Sequence, residues 1–391
     1  MFKSFKVGSI LGIPLKLDLT LLIILPVFAG LIASQLVPIV ELLNLLLGTT
    51  MEAEALDVGA TPWVLGAVAA IGLFVGVALH ELGHSVVAMH YGYDIDSITL
   101  WLLGGLARFT EQPKTWFHEF WIAIAGPIVS VAIGALCYLI ILATPEGFDG
   151  VIFVFGYLAF LNVFLAIFNM LPAFPLDGGR VLRALYTRNQ PFAQATQRAV
   201  RIGKGFAIAL GLFGVLMFDV ILIAIAFFIY IMGAAEGRQT LIASVFESVP
   251  VQEVMTPARS VVSIPPDFPL EDLPQYMIEH RHSGYPVLDG EEVVGVVTIE
   301  DLQQIDPEER GKRTVADVMS NELTSVSPTS DTMDAFQQLA SNDVGRLLVE
   351  DDGGDLVGIL TRTDLVRAFE IIRQHRAVAE SRPMPEPIQR Y

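Results

Sequence analysis

The stretch GVALHELGHSVVAMHYG, residues 76–92, closes an apolar run that begins near Pro62. Within it stand two histidines and a glutamate, His80-Glu81-Leu82-Gly83-His84. Ionisable groups are costly in hydrocarbon and mark function when they occur there. If the run is a helix, residues four apart share a face, so His80 and His84 can aim two imidazoles at one metal ion. Glu81 follows the first histidine directly. It can reach a metal-bound water without taking a coordination position, the arrangement of a zinc hydrolase with a carboxylate general base.

Composition supports a membrane setting. The chain has 391 residues, 53% of them hydrophobic. That excess lies almost wholly before residue 236 and is too large for an ordinary soluble protein of this length. Cys137 is the single cysteine, which excludes a disulfide framework and a cysteine zinc site. The net charge is −18, but residues 1–236 hold 11 Lys+Arg against 15 Asp+Glu, and residues 237–391 hold 13 against 27. The acidity therefore belongs to the C-terminal part and argues against nucleic-acid binding.

A spanning helix needs about 20 apolar residues. Six segments qualify: 18–38, 62–91, 118–143, 151–171, 197–217 and 219–236. The last two form either a tight hairpin or one broken element around Asp219. The basic start MFKSFKVGSILGIPLKLDLT has no small-residue cleavage site, so its apolar stretch reads as retained. Lys and Arg alternate between connections: Lys3, Lys6 and Lys16 precede the first span, and 39–61 and 144–150 have none. Arg108 and Lys114 lie in 92–117, and Arg180, Arg183, Arg188, Arg198, Arg201 and Lys204 follow the fourth span. The positive-inside rule then places the N-terminus and the C-terminal part on the cytoplasmic side of the cell membrane. Residues 94–112, β-branched and aromatic with Gly104-Gly105, predict one or two short strands near the inner face. Strand edges cannot face lipid, so these should line a cavity or pack on protein.

The fold class expected is thus a polytopic α-helical membrane domain, 1–240, with a small membrane-associated β element, followed by a soluble α/β module at 241–379. That module repeats at a spacing near 63: VQEVMT (251–256) returns as VADVMS (315–320), and GVVTIED (295–301) as GILTRTD (358–364). The two units cover about 245–308 and 309–372, each reading strand, helix, strand, strand, helix. The tail, 380–391, is Pro-rich and polar, and is expected to be flexible.

Two imidazoles do not complete a catalytic zinc site, which usually has three protein ligands. His90 faces elsewhere, His118 opens an interfacial helix, and His280, His282 and His375 lie in the soluble part. A carboxylate remains. Asp177, in FNMLPAFPLDGGR (168–180), is the best candidate. His80 lies ~27 Å along its helix from the outer end, at about 1.5 Å per residue. Asp177 follows the inward-running fourth span, so both reach the inner part of the bilayer. The other reading of Asp177 is a helix N-cap before Gly178 and Gly179.

With both pieces in view, residues 1–236 resemble the site-2 protease family of intramembrane zinc metalloproteases. The resemblance rests on His80-Glu81-Leu82-Gly83-His84 and on the N-x-x-P-x-x-P-L-D-G run from Asn169 to Gly178. It implies one zinc held by His80, His84 and Asp177, with Glu81 as catalytic base and peptide bonds of transmembrane proteins as substrate. The family's Gly-Gly strand matches Gly104-Gly105, and its Gly-Pro matches Gly126-Pro127. Ser130 departs from the asparagine many members carry. An unwound substrate could add to the strand near Gly104-Gly105. Asn169 could bond the substrate carbonyl or the oxyanion, or else fix the broken helix by an interhelical hydrogen bond.

The C-terminal module resembles paired cystathionine-β-synthase (CBS) domains. The resemblance implies adenine-nucleotide (AMP or ATP) binding by Thr298, Asp301, Thr361 and Asp364, regulation of the protease, and a homodimer through the module. The other reading is that these Asp residues cap helices. The rivals in function are a transporter or channel with a regulatory tail, since intramembrane charges also mark ion paths, and an inactive family member that binds membrane proteins.

Overall fold

The computed structural model describes residues 4–102, 104–109, 113, 115–246, 249–290, 292–321, 323–342 and 344–381. Residues 382–391, most of the expected flexible tail, lie outside them. Contacts divide the chain into two units, Met1–Thr240 and Leu241–Tyr391.

The first unit begins with a hairpin, β1 (Ser4–Ile10) and β2 (Ile13–Asp18). Its turn puts Leu11 and Gly12 at φ 52° and 86°, the backbone twist that two-residue hairpins favour. β2 pairs in parallel with β3 (Ile95–Trp101), and β3 pairs antiparallel with β4 (Gly104–Phe109), giving the order β1-β2-β3-β4. The strands expected in 94–112 are there. The sheet is larger than expected, because the basic start is also sheet. β1 is exposed along its whole length, so it lacks the one-sided burial that makes a strand legible.

Asp18 opens α1 (Leu19–Ser34) by accepting from Thr20 N at 2.9 Å. α2 (Leu36–Leu47) follows after a bend of 73°, so the segment read as a straight span at 18–38 is a broken pair running to residue 47. After the short α3 (Ala53–Leu56) come α4 (Thr61–His90), α5 (Trp116–Ala143) and α6 (Asp149–Asn169). Then follow α7 (Asp177–Thr187), α8 (Phe192–Leu216) and α9 (Val220–Phe246). α4, α5, α6, α8 and α9 are long and apolar enough to cross a membrane, and the bent pair makes up to six. α8 starts earlier than the expected 197, so Arg198, Arg201 and Lys204 are helical rather than loop charges. The hairpin reading of the last two spans is the observed one. Gly211 lies against Ala226, Gly214 against Ile223 and Gly237 against Val200, an antiparallel register.

Where α4 meets α5, a Cβ on Gly83 would lie 3.0 Å from the Ala125 carbonyl oxygen. Only glycine allows this approach, as small residues generally do between membrane helices. The sheet packs on α4 through a cluster of Ile13, Phe74, Val77, Ile98, Leu100 and Ala107.

The second unit has one short helix, α10 (Val251–Val254), and then two α/β copies. The first holds β5 (Thr256–Pro257), α11 (Leu273–His280), β6 (Gly284–Asp289), β7 (Glu292–Thr298), α12 (Ile299–Gln303) and α13 (Pro307–Arg310). The second holds β8 (Ser325–Val326), α14 (Thr332–Ser341), β9 (Arg346–Glu350), β10 (Leu356–Thr361) and α15 (Arg362–Ser381). The copies exchange edges: β5 pairs with β10, and Ser320 bridges to Val296 on β7. The repeated glycines serve this exchange. A Cβ on Gly295 would lie 2.6 Å from Met319 Sδ, and one on Gly358 would lie 2.6 Å from Met255 Sδ.

Candidate active site

α4 sets His80 and His84 one turn apart on one face, each 3% exposed. Their Nε2 atoms are 3.2 Å apart. Asp177 is the first residue of α7 and 8% exposed; its Oδ2 lies 3.1 Å from His80 Nε2 and 3.3 Å from His84 Nε2. Leu176, not Asp177, occupies the N-cap, with no side-chain capping bond, so the capping alternative for Asp177 does not hold. Among the described residues, these three form the set of metal-ligating side chains that converge.

The spacing fits zinc. Tetrahedral ligands at 2.0–2.1 Å from zinc stand about 3.3 Å apart. The outward nitrogens also fit. His84 Nδ1 lies 2.6 Å from the Ile122 carbonyl oxygen and His80 Nδ1 lies 2.9 Å from Ser130 Oγ. Each Nδ1–H donating outward leaves the Nε2 lone pair turned to the shared point. Pro127 has no N–H and loosens the α5 ladder beside Ile122. Room for an ion comes from Gly126, since a Cβ there would lie 2.7 Å from His80 Nε2 and also collide with His84.

Asp177 reaches the histidines because α7 lies directly on the chain before it. A Cβ on Gly178 would overlap the carbonyls of Met170 and Leu171, and one on Gly179 would sit 2.7 Å from Phe174 N. Larger residues at either position would push α7 away. Glu81, half-buried, turns toward the sheet, where a Cβ on Gly105 would sit 2.9 Å from its Oε1. Gly104 has φ 132°, a conformation for glycine at the start of β4. Asn169 is the last residue of α6 and half-buried.

The contacts of three supporting groups are not legible in the sequence. A backbone carbonyl, Ile122 O, has no residue-type signature. Ser130, fully buried, is visible in the sequence as a departure from the family's asparagine but not as the partner of His80. Gly126 was visible as part of a Gly-Pro pair, but its contact with the histidines was not.

In the second unit, Thr298, Asp301, Thr361 and Asp364 line one cavity of about 860 Å³. Thr298 donates through N and Oγ1 to Asp301 Oδ2 at 2.8 and 2.7 Å, and Thr361 does so to Asp364 Oδ2 at 3.0 and 2.6 Å. These are helix-capping pairs at α12 and α15, so the capping reading and the cavity lining both describe them. Arg346, unnoticed in the sequence, also lines the cavity. Its Nε is buried without a hydrogen-bond partner, and burial holds the guanidinium below the usual arginine range. An anion in the cavity would relieve that cost.

Comparison with known proteins supplies the family. Residues 68–147 and 147–212 match the profile of Peptidase family M50, and residues 251–307 and 315–371 match that of the CBS domain. The chain is similar to the zinc metalloprotease MJ0392 of Methanocaldococcus jannaschii, 34% identical over 374 residues, 94% of this chain and 97% of that one. It is also similar to Rip3 of Mycobacterium tuberculosis, 33% identical over 325 residues, 80% of this chain and 82% of that one. Among solved structures, the site-2 protease from Methanocaldococcus jannaschii is 34% identical and covers 60% of this chain and 95% of its own, with a TM-score of 0.43. Matched along nearly its whole length by a metalloprotease relative, the chain belongs to Peptidase family M50, the site-2 proteases, and is an integral-membrane zinc metalloprotease carrying a pair of CBS domains.

Proposed function

We propose that His80, His84 and Asp177 hold the zinc and that Glu81 is the general base that cleaves peptide bonds of transmembrane proteins. The observation that carries this reading is the mutual spacing of three buried donor atoms, 3.1 to 3.3 Å. Bound there, zinc supplies a Lewis acid that polarises the scissile carbonyl and makes water nucleophilic near neutral pH. Glu81 takes the proton of the attacking water and delivers it to the leaving amine. Ser130 and the Ile122 carbonyl hold the imidazoles in the ligating tautomer. Asn169 donates to the substrate carbonyl as negative charge develops on it. The β4 edge at Gly104-Gly105 pairs with the unwound substrate segment, meeting backbone groups that lipid cannot satisfy.

The protease domain spans 1–240 and the regulatory module 241–379, with the N-terminus and the module cytoplasmic in the cell membrane, as the Lys and Arg distribution supports. The cavity lined by Thr298, Asp301, Thr361 and Asp364 takes an adenine nucleotide, AMP or ATP. Its phosphates meet Arg346, and its occupancy regulates cleavage. The module also pairs two copies of the chain. Purified protein should contain one zinc, and Glu81→Gln should keep the zinc and lose cleavage of model transmembrane peptides. Unaltered cleavage by Glu81→Gln would reject Glu81 as base, and zinc retained by His80→Ala/His84→Ala would reject the ligand set. Nucleotide that neither binds nor changes the cleavage rate would reject the regulatory part.

A further inference from the structure

Outside the metal set, a buried arginine and a buried glutamate meet a half-buried glutamate. Arg183 Nε lies 2.6 Å from Glu119 Oε1, and Arg183 Nη1 lies 2.7 Å from Glu236 Oε1. Glu119 is 3% exposed and Arg183 is 6% exposed. The guanidinium also lies 5.0 Å from the ring centre of Phe174 and 4.7 Å from that of Phe192. Stability is a poor reason for such a cluster. Buried ion pairs are often no better than apolar residues of the same volume, because desolvation offsets the attraction.

What the cluster does is join elements. Arg183 is on α7, the helix that begins with Asp177. Glu119 is on α5, Glu236 on α9, and Phe174 in the break before α7. Residues 119, 122, 126 and 130 fall on one stripe of α5, at helical spacings of 3, 4 and 4. On that stripe Ile122 orients His84, Ser130 orients His80, and Gly126 makes room between them. Glu119 extends the same stripe to the third donor, through the helix that bears it. We propose that Glu119, Arg183 and Glu236 are positioning residues that fix α7 on α5 and so hold Asp177 within ligand distance of the histidines. The inference rests on the zinc reading above.

The test uses the full chain in detergent, with zinc affinity measured by competition with a chromophoric chelator and the ligand field read from Co²⁺ absorption. Arg183→Met should lower zinc affinity about 10- to 100-fold, the usual cost of losing an outer support, and shift the Co²⁺ spectrum. Arg183→Lys keeps the charge without the two-pronged fork and should recover part of the loss. Glu119→Gln should weaken zinc binding more than Glu236→Gln, whose side chain is 33% exposed. A merely structural role predicts something else: lower thermal stability of the metal-free protein, with wild-type zinc affinity and Co²⁺ spectrum in every variant. That result overturns the proposal. If Arg183→Met does not fold, Arg183→Lys and Glu236→Gln decide by the same readouts. Wild-type protein that binds no zinc while His80→Ala behaves identically would instead overturn the zinc reading, and this inference with it.

Discussion

Gly126→Ala adds one methyl group at the centre of the candidate metal site. The new Cβ would lie 2.7 Å from His80 Nε2 and 2.6 Å from His84 Cε1. Non-bonded carbon contacts are comfortable at about 3.5 Å or more, so the His80 ring must retreat by roughly 0.8 Å and the His84 ring by more. Metal ligands tolerate about 0.2 Å. The three donors therefore cannot keep their 3.1–3.3 Å spacing. Losing an outer-shell partner alone costs about 10- to 100-fold in metal affinity. Displacing two ligands should exceed the upper end of that range, ~2.7 kcal/mol or more. The same methyl crowds the rings in the metal-free fold, so overpacking of about 1–3 kcal/mol outweighs the roughly 0.5–1 kcal/mol that alanine gains over glycine in a helix interior. Chelator competition on purified protein should thus show a zinc affinity at least about 100-fold weaker. Thermal melting of the metal-free protein reports separately on the helix. Wild-type zinc affinity in Gly126→Ala would refute the reasoning, because it would mean the ion does not sit between these rings.

Other expectations follow from single contacts. Ser130→Ala removes the acceptor 2.9 Å from His80 Nδ1 and should cut zinc affinity about 10- to 100-fold while leaving His84 anchored, as chelator competition would show. Arg346→Ala should weaken ATP binding by about tenfold or more in calorimetry, the size of a lost charge-assisted hydrogen bond. Binding of uncharged adenosine should change little; an equal loss for both would mean that Arg346 does not meet phosphate. Gly358→Ala forces a methyl against Met255 Sδ, 2.6 Å away, and should destabilise the C-terminal unit by about 1–3 kcal/mol. Proteolysis of the full chain should then release that unit sooner at unchanged zinc content.

How far the sequence could be read follows from the kind of signal each feature leaves. His80 and His84 are legible because helical spacing alone puts them on one face. The paired repeats are legible because the same residues recur in order. β1 was missed because it buries neither face, and the bend at Gln35 because both sides of it are equally apolar. Glu119 and Arg183 left little signal of their pairing. Glu119 lies in the first turn of α5, where a carboxylate is common at a helix N-terminus, and Arg183 reads first as a topological charge. Only the fold shows that they meet. The carbonyl of Ile122 left no signal at all, since every residue has one.

If His80, His84 and Asp177 hold zinc as proposed, charge balance favours a single ligating carboxylate. With neutral imidazoles, a divalent zinc and Asp177 leave one net positive charge among side chains at most 8% exposed. An uncompensated charge there is expensive, as burial of unpaired ions generally is. On that reading Glu81 offers a compensating carboxylate outside the ligand set, half-buried on the side where Gly105 lies against it. A second ligating carboxylate in place of a histidine would neutralise the ion itself and weaken its hold on the scissile carbonyl. On the proposed reading, two imidazoles paired with one carboxylate, and a second carboxylate one residue along α4, keep the ion electrophilic while limiting the net charge buried in a low-dielectric site.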